Sequence, residues 1–169
     1  DASKRPDLVV EALGKLVKED IAFTATFVGG PSDLSSSFPQ EVESRAKELG
    51  ITDIVTFVGP IPNTDTYRYY RSHAIYVNCG KSGMLDKSLF KSIACGCLPI
   101  FTSADLAEIV GAECMYIDGD VQDLVQHLKE ALAFSEEKRC AHVQEFTTKA
   151  IGAHTLPVLA QRLAYEMSL

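Results

Sequence analysis

Three lysines cluster around a loop in the middle of the chain. From position 78 to position 91 the sequence carries Lys81, Lys87 and Lys91 and a single acid, Asp86, which is a local charge of +2 in a chain with a net charge of −7. Ammonium groups that converge on a loop before a helix are suited to bind phosphate, because free backbone N–H groups at the helix start also favour anions. The cluster therefore predicts a phosphate-bearing ligand; the alternative is a set of solvated surface charges.

The elements that position this cluster are strands alternating with helices. Short apolar segments predict strands at residues 21–28, 54–58, 74–77, 98–101 and 114–117. Helical spacing predicts helices at residues 6–18, 42–49, 63–70, 85–94, 106–110, 121–132 and 135–168, the last broken near Phe146 and bent at Pro157. This order is typical of an α/β fold, a doubly wound Rossmann-like parallel sheet with helices on both faces and C-terminal helices.

Ligands of such sheets bind outside the carboxyl ends of the strands. Here that edge carries the loops at residues 29–38, 59–63, 78–87 and 102–105. The first begins with Gly29 and Gly30, and the third contains Lys81 and Lys87 of the lysine cluster.

Several other chemistries lack the residues they need. Gly80-Lys81-Ser82 ends like a P-loop, but Ile75 stands where the first glycine is required. The sequence has no GxGxxG for a dinucleotide, no nucleophile elbow, no CxxC and no HExxH. We therefore expect neither a metal nor a cofactor, and the acidic balance argues against nucleic acid as a partner.

The overall composition is that of one globular domain. The chain has 169 residues and 18.4 kDa, and none of its apolar runs reaches the about 20 residues of a membrane span. Its five cysteines are interpreted as small buried side chains in a reducing compartment, so a cytoplasmic location is expected.

Seven segments in sequence order resemble motifs of group 1 glycosyltransferases, the retaining enzymes with two Rossmann-like domains (the GT-B type). They are Lys4–Ala12 (KGxDLLIEA in the family), Phe27–Gly30 (IVGxG), Ile54–Gly59 (VxFLG), Tyr70–Val77 (YxxADVFVLPS), Leu89–Ile100 (LLEAMACGLPVV), Ala107–Val110 (PEIV) and Ile117–Asp120 (vdpgD). Together they run from residue 4 to residue 120.

The resemblance implies the C-terminal, nucleotide-sugar-binding half of such an enzyme. It would transfer a hexose from a UDP- or GDP-sugar to an acceptor glycan or lipid, in polysaccharide or glycoconjugate biosynthesis, and the acceptor site would belong to a preceding domain. Residues 1–169 are then a single donor-binding domain excised from a longer chain, with residues 135–169 as a C-terminal helical extension. We expect this piece alone to have no transferase turnover, and any membrane association of the longer chain to occur through the missing domain.

Site residues follow from the same resemblance. Lys4 and Lys87 would act on the donor diphosphate, Gly29 and Gly30 would let the backbone approach the ligand, and Val58 to Ile61 would border the base. The loop that wraps sugar and phosphate would comprise Ser82, Gly83, Met84, Leu85, Asp86 and Lys87.

Two departures from the family pattern leave alternatives open. Family members carry two glutamates eight positions apart, one near the sugar and one on the ribose; here these positions are Gly83 and Lys91. The loop looks like a family variant that lacks the first glutamate, but that variant keeps the second. One alternative is a non-catalytic interaction module with a degenerate donor site. The other is a nucleotide-sugar epimerase, whose paired catalytic acids have no counterpart here.

Overall fold

The computed structural model describes residues 2–31, 36–80, 86–153, 157–158, 161 and 164–165. Within these ranges four strands alternate with helices: β1 (Ala25–Val28), β2 (Val55–Gly59), β3 (Ile75–Asn78) and β4 (Leu98–Phe101). The helices are α1 (Pro6–Lys18), α2 (Phe38–Glu48), α3 (Thr66–Ser72), α4 (Lys87–Ala94), α5 (Ala104–Val110), α6 (Val121–Leu132) and α7 (Glu136–Ala153). A short 3-10 turn, Asn63–Asp65, leads into α3.

The strands form two parallel pairs, which confirms the predicted α/β class. β1 pairs with β2 and β3 pairs with β4, and the described strands form no ladder between the two pairs. A side-chain contact connects them instead, because His73, just before β3, places Nε2 2.9 Å from Oγ1 of Thr26 in β1. The prediction of one continuous sheet therefore differs from the hydrogen bonding of the described residues, which is divided in two.

Two predicted strands are wrong in extent. The first begins at Ala25 rather than at residue 21, because the backbone N–H of Ile21 bonds to the carbonyl of Leu16 at 3.1 Å and completes the end of α1. The last is a single parallel bridge between Phe101 and Met115, although Tyr116 N–H also reaches the carbonyl of Phe101 at 2.8 Å.

The predicted break near Phe146 is also wrong, because α7 runs unbroken through it. Phe146 is fully buried in the core. Thr147 bonds through its hydroxyl to the carbonyl of Val143 at 2.8 Å, and Thr148 does the same with Gln144 at 3.0 Å. These β-branched residues satisfy their hydroxyls within the helix, so their weak helix propensity does not interrupt it.

One hydrophobic core joins the strands and two groups of helices. α1 packs against α2 and α6, whereas α4 packs against α3 and α7, and α5 also contacts α7. Leu16, Ile93 and Leu98 are fully buried at the centre, where truncation of a leucine or isoleucine to alanine typically costs about 2–5 kcal/mol. The core fixes the carboxyl ends of the strands, where the candidate site lies.

Candidate functional site

Asn78, the last residue of β3, organises the carboxyl end of that strand. Its side chain is buried, and its Nδ2 donates to Asp86 Oδ2 at 2.6 Å. Its Oδ1 accepts from the backbone N–H of Gly80 at 2.8 Å. One amide thus holds both flanks of the 81–85 segment, which lies outside the described residues.

Asp86 caps the N-terminus of α4. Its Oδ1 accepts from the backbone N–H of Ser88 at 2.9 Å and also from the Ser88 hydroxyl. That hydroxyl lies 2.6 Å from the hydroxyl of Tyr76 in β3, which ties the start of the helix to the strand. The cap satisfies a backbone donor that an α-helix start otherwise leaves free.

Lys4 reaches the same carboxylate from the other end of the sequence. Its Nζ lies 2.8 Å from Asp86 Oδ2, across a separation of 82 residues. Burial alone raises the pKa of the Asp86 carboxyl, but the hydrogen bonds from Lys4, Ser88 and Asn78 outweigh it and lower the pKa to about 2. Asp86 is therefore an anion at any physiological pH.

The other two lysines of the site lie on α4. Lys87 is the first residue of the helix and is exposed, and no residue in the described part of the chain pairs with its ammonium group. Lys91 lies one turn later and is half-buried, with its Nζ donating to Asn63 Oδ1 at 2.6 Å. The three cations Lys4, Lys87 and Lys91 therefore border one helix.

At the carboxyl end of the β1–β2 pair, glycine backbone rather than charged side chains shapes the surface. Gly29 donates its N–H to the carbonyl of Gly59 at 2.9 Å, and both glycines have positive φ, 125° and 77°. Val58 sits where the register shifts, since Val28 pairs with Gly59, and both Val58 and Ile61 are half-buried. A Cβ on Gly30 would lie 3.3 Å from Pro60 Cδ, so the two loops pass close to each other.

The predicted site residues therefore fall into three sets. Lys4, Asp86 and the start of α4 come together, whereas the glycines, Val58 and Ile61 lie at the ends of the other strand pair. Four lie outside the described residues: Ser82, Gly83, Met84 and Leu85.

Sequence reasoning assigned no role to Asn78, Ser88 or Tyr76, which position the carboxylate. A polar residue that closes an apolar strand was the one available signal, and it pointed to Asn78.

Neither a metal centre nor a membrane span is found in the part of the chain that the structure describes. The described histidines, cysteines and acids form no group of three or more that could hold an ion. None of the described helices combines the length and the apolar character that crossing a bilayer requires.

Comparison with protein families gives one match. Residues 1–133 match the model of the family described as "Glycosyl transferases group 1". Related proteins include a D-inositol 3-phosphate glycosyltransferase of Acidothermus cellulolyticus, 30% identical over 97 residues, which cover 55% of this chain and 22% of that protein. The enzyme of the same name from Mycolicibacterium smegmatis is 26% identical over 98% of this chain and 38% of its own length. The chain thus spans well under half the length of these relatives.

Solved structures share the fold. Anabaena HepE, solved in complex with UDP, superposes with a TM-score of 0.85 at 15% identity, over 99% of this chain and 46% of that one. The C-terminal domain of a group 1 glycosyl transferase from Francisella tularensis (LpcC) superposes with a TM-score of 0.79 at 17% identity, over 92% of this chain and 82% of that one. The predicted fold class is confirmed by these neighbours. Since the family match extends over most of the sequence, the chain belongs to the group 1 glycosyl transferases.

Proposed function

We propose that this chain is the donor-binding half of a retaining glycosyltransferase that takes a hexose from a UDP- or GDP-sugar. The observation that carries the proposal is the contact between Lys4 and Asp86. It brings the ammonium group of an N-terminal lysine to the start of α4, where Lys87 projects and backbone N–H groups face the carboxyl edge of the sheet. The family and the solved relative bound to UDP support the same ligand class.

This arrangement suits a leaving group that gains negative charge. When the glycosidic bond to the diphosphate breaks, the electron pair stays on the phosphate oxygen, and fixed cations stabilise that charge. In a retaining reaction the leaving phosphate takes the acceptor proton on the same face of the sugar, so this half needs no protein nucleophile. We assign the acceptor glycan or lipid, and the transfer itself, to the complete two-domain enzyme in the cytoplasm.

Asp86 does not prevent Lys4 from binding phosphate. An ammonium group has three N–H donors, and Asp86 uses one of them. The carboxylate instead holds a flexible side chain, 44% exposed, at the edge where the diphosphate would lie. Lys87 remains available as the second cation.

Titration with UDP and GDP tests the proposal. Lys87→Ala and Lys4→Ala should each weaken nucleotide binding by about 1.5–3 kcal/mol, the usual contribution of a hydrogen bond to a charged group. Lys18→Ala, which removes the same charge at the far end of α1, is the control and should leave affinity unchanged. Unchanged affinity in both site variants would place the phosphate site elsewhere.

A second function has one observation in its favour. Lys91 stands where the family keeps its ribose glutamate, and its ammonium is engaged by Asn63. A lysine can only donate, whereas a carboxylate accepts hydrogen bonds from two ribose hydroxyls. This departure favours a non-catalytic module that has kept the fold and lost the donor.

Two substitutions at position 91 separate these functions. Tighter UDP or GDP binding by Lys91→Glu would reveal a decayed donor site, whereas weaker binding by both Lys91→Glu and Lys91→Ala would make the lysine a ligand contact. Lack of binding by the wild-type chain and by both variants would support the interaction module.

A further inference from the structure

β1 and β3 are the inner strands of the two pairs, and in the described part of the chain they form no ladder with each other. β4 has β3 on one side and the bridge to Met115 on the other, so the opposite edge of β3 has no strand beside it. The contact between His73 and Thr26 joins the amino ends of β3 and β1. The unpaired edges of β1 and β3 therefore face each other.

A cleft separates these two edges. Neighbouring parallel strands lie about 4.8 Å apart along their whole length. β1 packs closely on β2, and β3 on β4, but β1 and β3 do not pack closely on each other. All four residues of β4 are buried, whereas none of β1 is, and Val28 is 38% exposed. An inner strand of a parallel sheet covered by helices is expected to be buried, so the exposure of β1 fits an open cleft beside it.

The β1 side of the cleft presents backbone donors and acceptors. Along a strand, successive residues direct their N–H and C=O groups to opposite sides. The N–H groups of Ala25 and Gly29 donate to carbonyls at the two ends of β2, both at 2.9 Å. Residues 25, 27 and 29 thus face β2, and the groups of Thr26 and Val28 point into the cleft.

The β3 side mirrors this arrangement. The carbonyl of Ala74 accepts from the N–H of Leu98 in β4 at 2.9 Å, so residues 74, 76 and 78 face β4. Ile75 and Val77 therefore direct their backbone groups into the cleft from the other side. Two unpaired edges that face each other are a template for one additional strand that bonds to both.

Helix α1 indicates the direction and the source of such a strand. The helix begins near the carboxyl end of β3, because Lys4 contacts Asp86, and it leads to the amino end of β1. A strand directly ahead of α1 would end at the carboxyl edge and so run parallel to β1 and β3. A right-handed crossover through α1 places that strand beside β1, where the cleft lies.

We infer that the cleft between β1 and β3 binds one further parallel β-strand, supplied by the polypeptide directly ahead of α1 in the expected longer chain. It would bond to Thr26 and Val28 on one side and to Ile75 and Val77 on the other, and so join the two pairs into one sheet. Helices cover both faces of such a sheet, so a continuous run of β-branched apolar residues suits the strand. Binding of the strand does not depend on which nucleotide the protein takes.

An N-terminal extension tests this inference. One variant carries Val-Val-Ile-Val-Val-Gly-Ser ahead of residue 1, and the control carries Val-Pro-Pro-Pro-Val-Gly-Ser, which has the same length but lacks the N–H donors of a strand. The first extension should raise the Tm by about 5 °C or more over the unextended chain, because it adds hydrogen bonds and buries apolar surface. The proline extension should not change it.

Amide hydrogen exchange locates the added strand. The amides of Thr26, Val28, Ile75 and Val77 should exchange at least about tenfold more slowly in the variant with the valine extension than in the unextended chain or the proline control. Phe27 and Tyr76 serve as internal controls, because they face β2 and β4 within their own pairs. Their amides should already be protected in the unextended chain.

Three results would overturn the inference. If the four cleft amides of the unextended chain exchange as slowly as those of Phe27 and Tyr76, the cleft is already filled. Protection that disappears on dilution would assign it to a second copy of the chain, and protection that persists would assign it to another part of the same chain. Equal effects of the two extensions, or aggregation of the valine variant alone, would mean that the added strand does not enter the cleft.

Discussion

The carboxyl ends of the two strand pairs use different means to shape one edge of the molecule. At β1 and β2 the loops are formed by glycines and a proline, and they are defined by a backbone hydrogen bond between Gly29 and Gly59 and by the close approach of Gly30 to the Pro60 ring. At β3 and β4 a buried amide, a carboxylate and a hydroxyl converge on the start of α4, with Lys4 added from a distant segment. The end at β1 and β2 lets the two loops approach each other without charged groups, whereas the end at β3 and β4 brings charged side chains together.

Under the proposed function, this difference would let one edge accept a ligand with two chemically distinct halves, a base and a diphosphate. A flat base needs backbone that can approach closely and apolar side chains such as Val58 and Ile61. A diphosphate needs nearby cations, which Lys4 and Lys87 would supply at the second end. Each half of the edge can then be altered while the other is left in place, which makes the comparison testable.

Removal of the Asp86 carboxylate should be the most damaging change at the charged end. Asp86→Ala loses the helix cap, worth about 1 kcal/mol, and leaves the buried Asn78 amide without its acceptor at a cost of about 1–3 kcal/mol. We expect the free energy of unfolding in urea to fall by about 2–4 kcal/mol.

Asp120→Ala is the control for this substitution. Asp120 caps α6 with nearly the same backbone angles and accepts from Gln122 and Asp123, but no lysine or buried amide of the described residues bonds to its carboxylate. It should cost about 1 kcal/mol. Equal losses in the two variants would mean that the network around Asp86 adds nothing to an ordinary cap.

Low pH should remove the stability that Asp86 contributes at the carboxyl end of the β3–β4 pair. The pKa of Asp86 is lowered from 3.8 to about 2, so the carboxylate stabilises the folded chain fully above about pH 5, and this stabilisation is lost as pH falls through 2. Asp86→Asn keeps a capping side chain and removes the titration. Between pH 5 and pH 2 the wild type should lose about 2 kcal/mol more than this variant in urea unfolding. The lowered pKa of Glu11, which bonds Arg45, affects both proteins alike and cancels. If the free energy of unfolding fell equally with pH in the wild type and in Asp86→Asn, the lowered pKa would not belong to Asp86.

The sequence was sufficient for the order of elements but not for contacts between distant residues. Apolar periodicity predicted α1, α4 and α6 because each buries one face in the core. The same periodicity placed the start of the first strand at residue 21, because an apolar residue at the end of a helix resembles an apolar residue at the start of a strand. The Lys4–Asp86 contact joins residues 82 positions apart, and no local pattern encodes such a distance.

The left-handed Arg5 shows a second limit. Position 5 was aligned with a glycine of the family motif, but the residue type gave no indication that arginine would accept the conformation of glycine. Backbone strain of this kind depends on the hydrogen bonds around it, which only the folded chain defines.

Substitution of Gly29 should be the mildest change and should affect the uncharged end alone. Gly29 has φ 125°, where a side chain strains the backbone, yet a Cβ there would meet nothing within 4 Å. Gly29→Ala should therefore cost about 1–2 kcal/mol in urea unfolding through backbone conformation and not through a clash. Gly30 has no positive φ, and the three described atoms nearest to a Cβ there would all belong to the Pro60 ring, so Gly30→Ala should cost less. The cost of Gly29→Ala should also be the same at pH 5 and pH 2, because no titrating side chain contacts that backbone in the described part of the chain. If Gly30→Ala were the more harmful of the two, contact with Pro60 rather than glycine geometry would control this end, and the contrast between a backbone-built end and a side-chain-built end would fail.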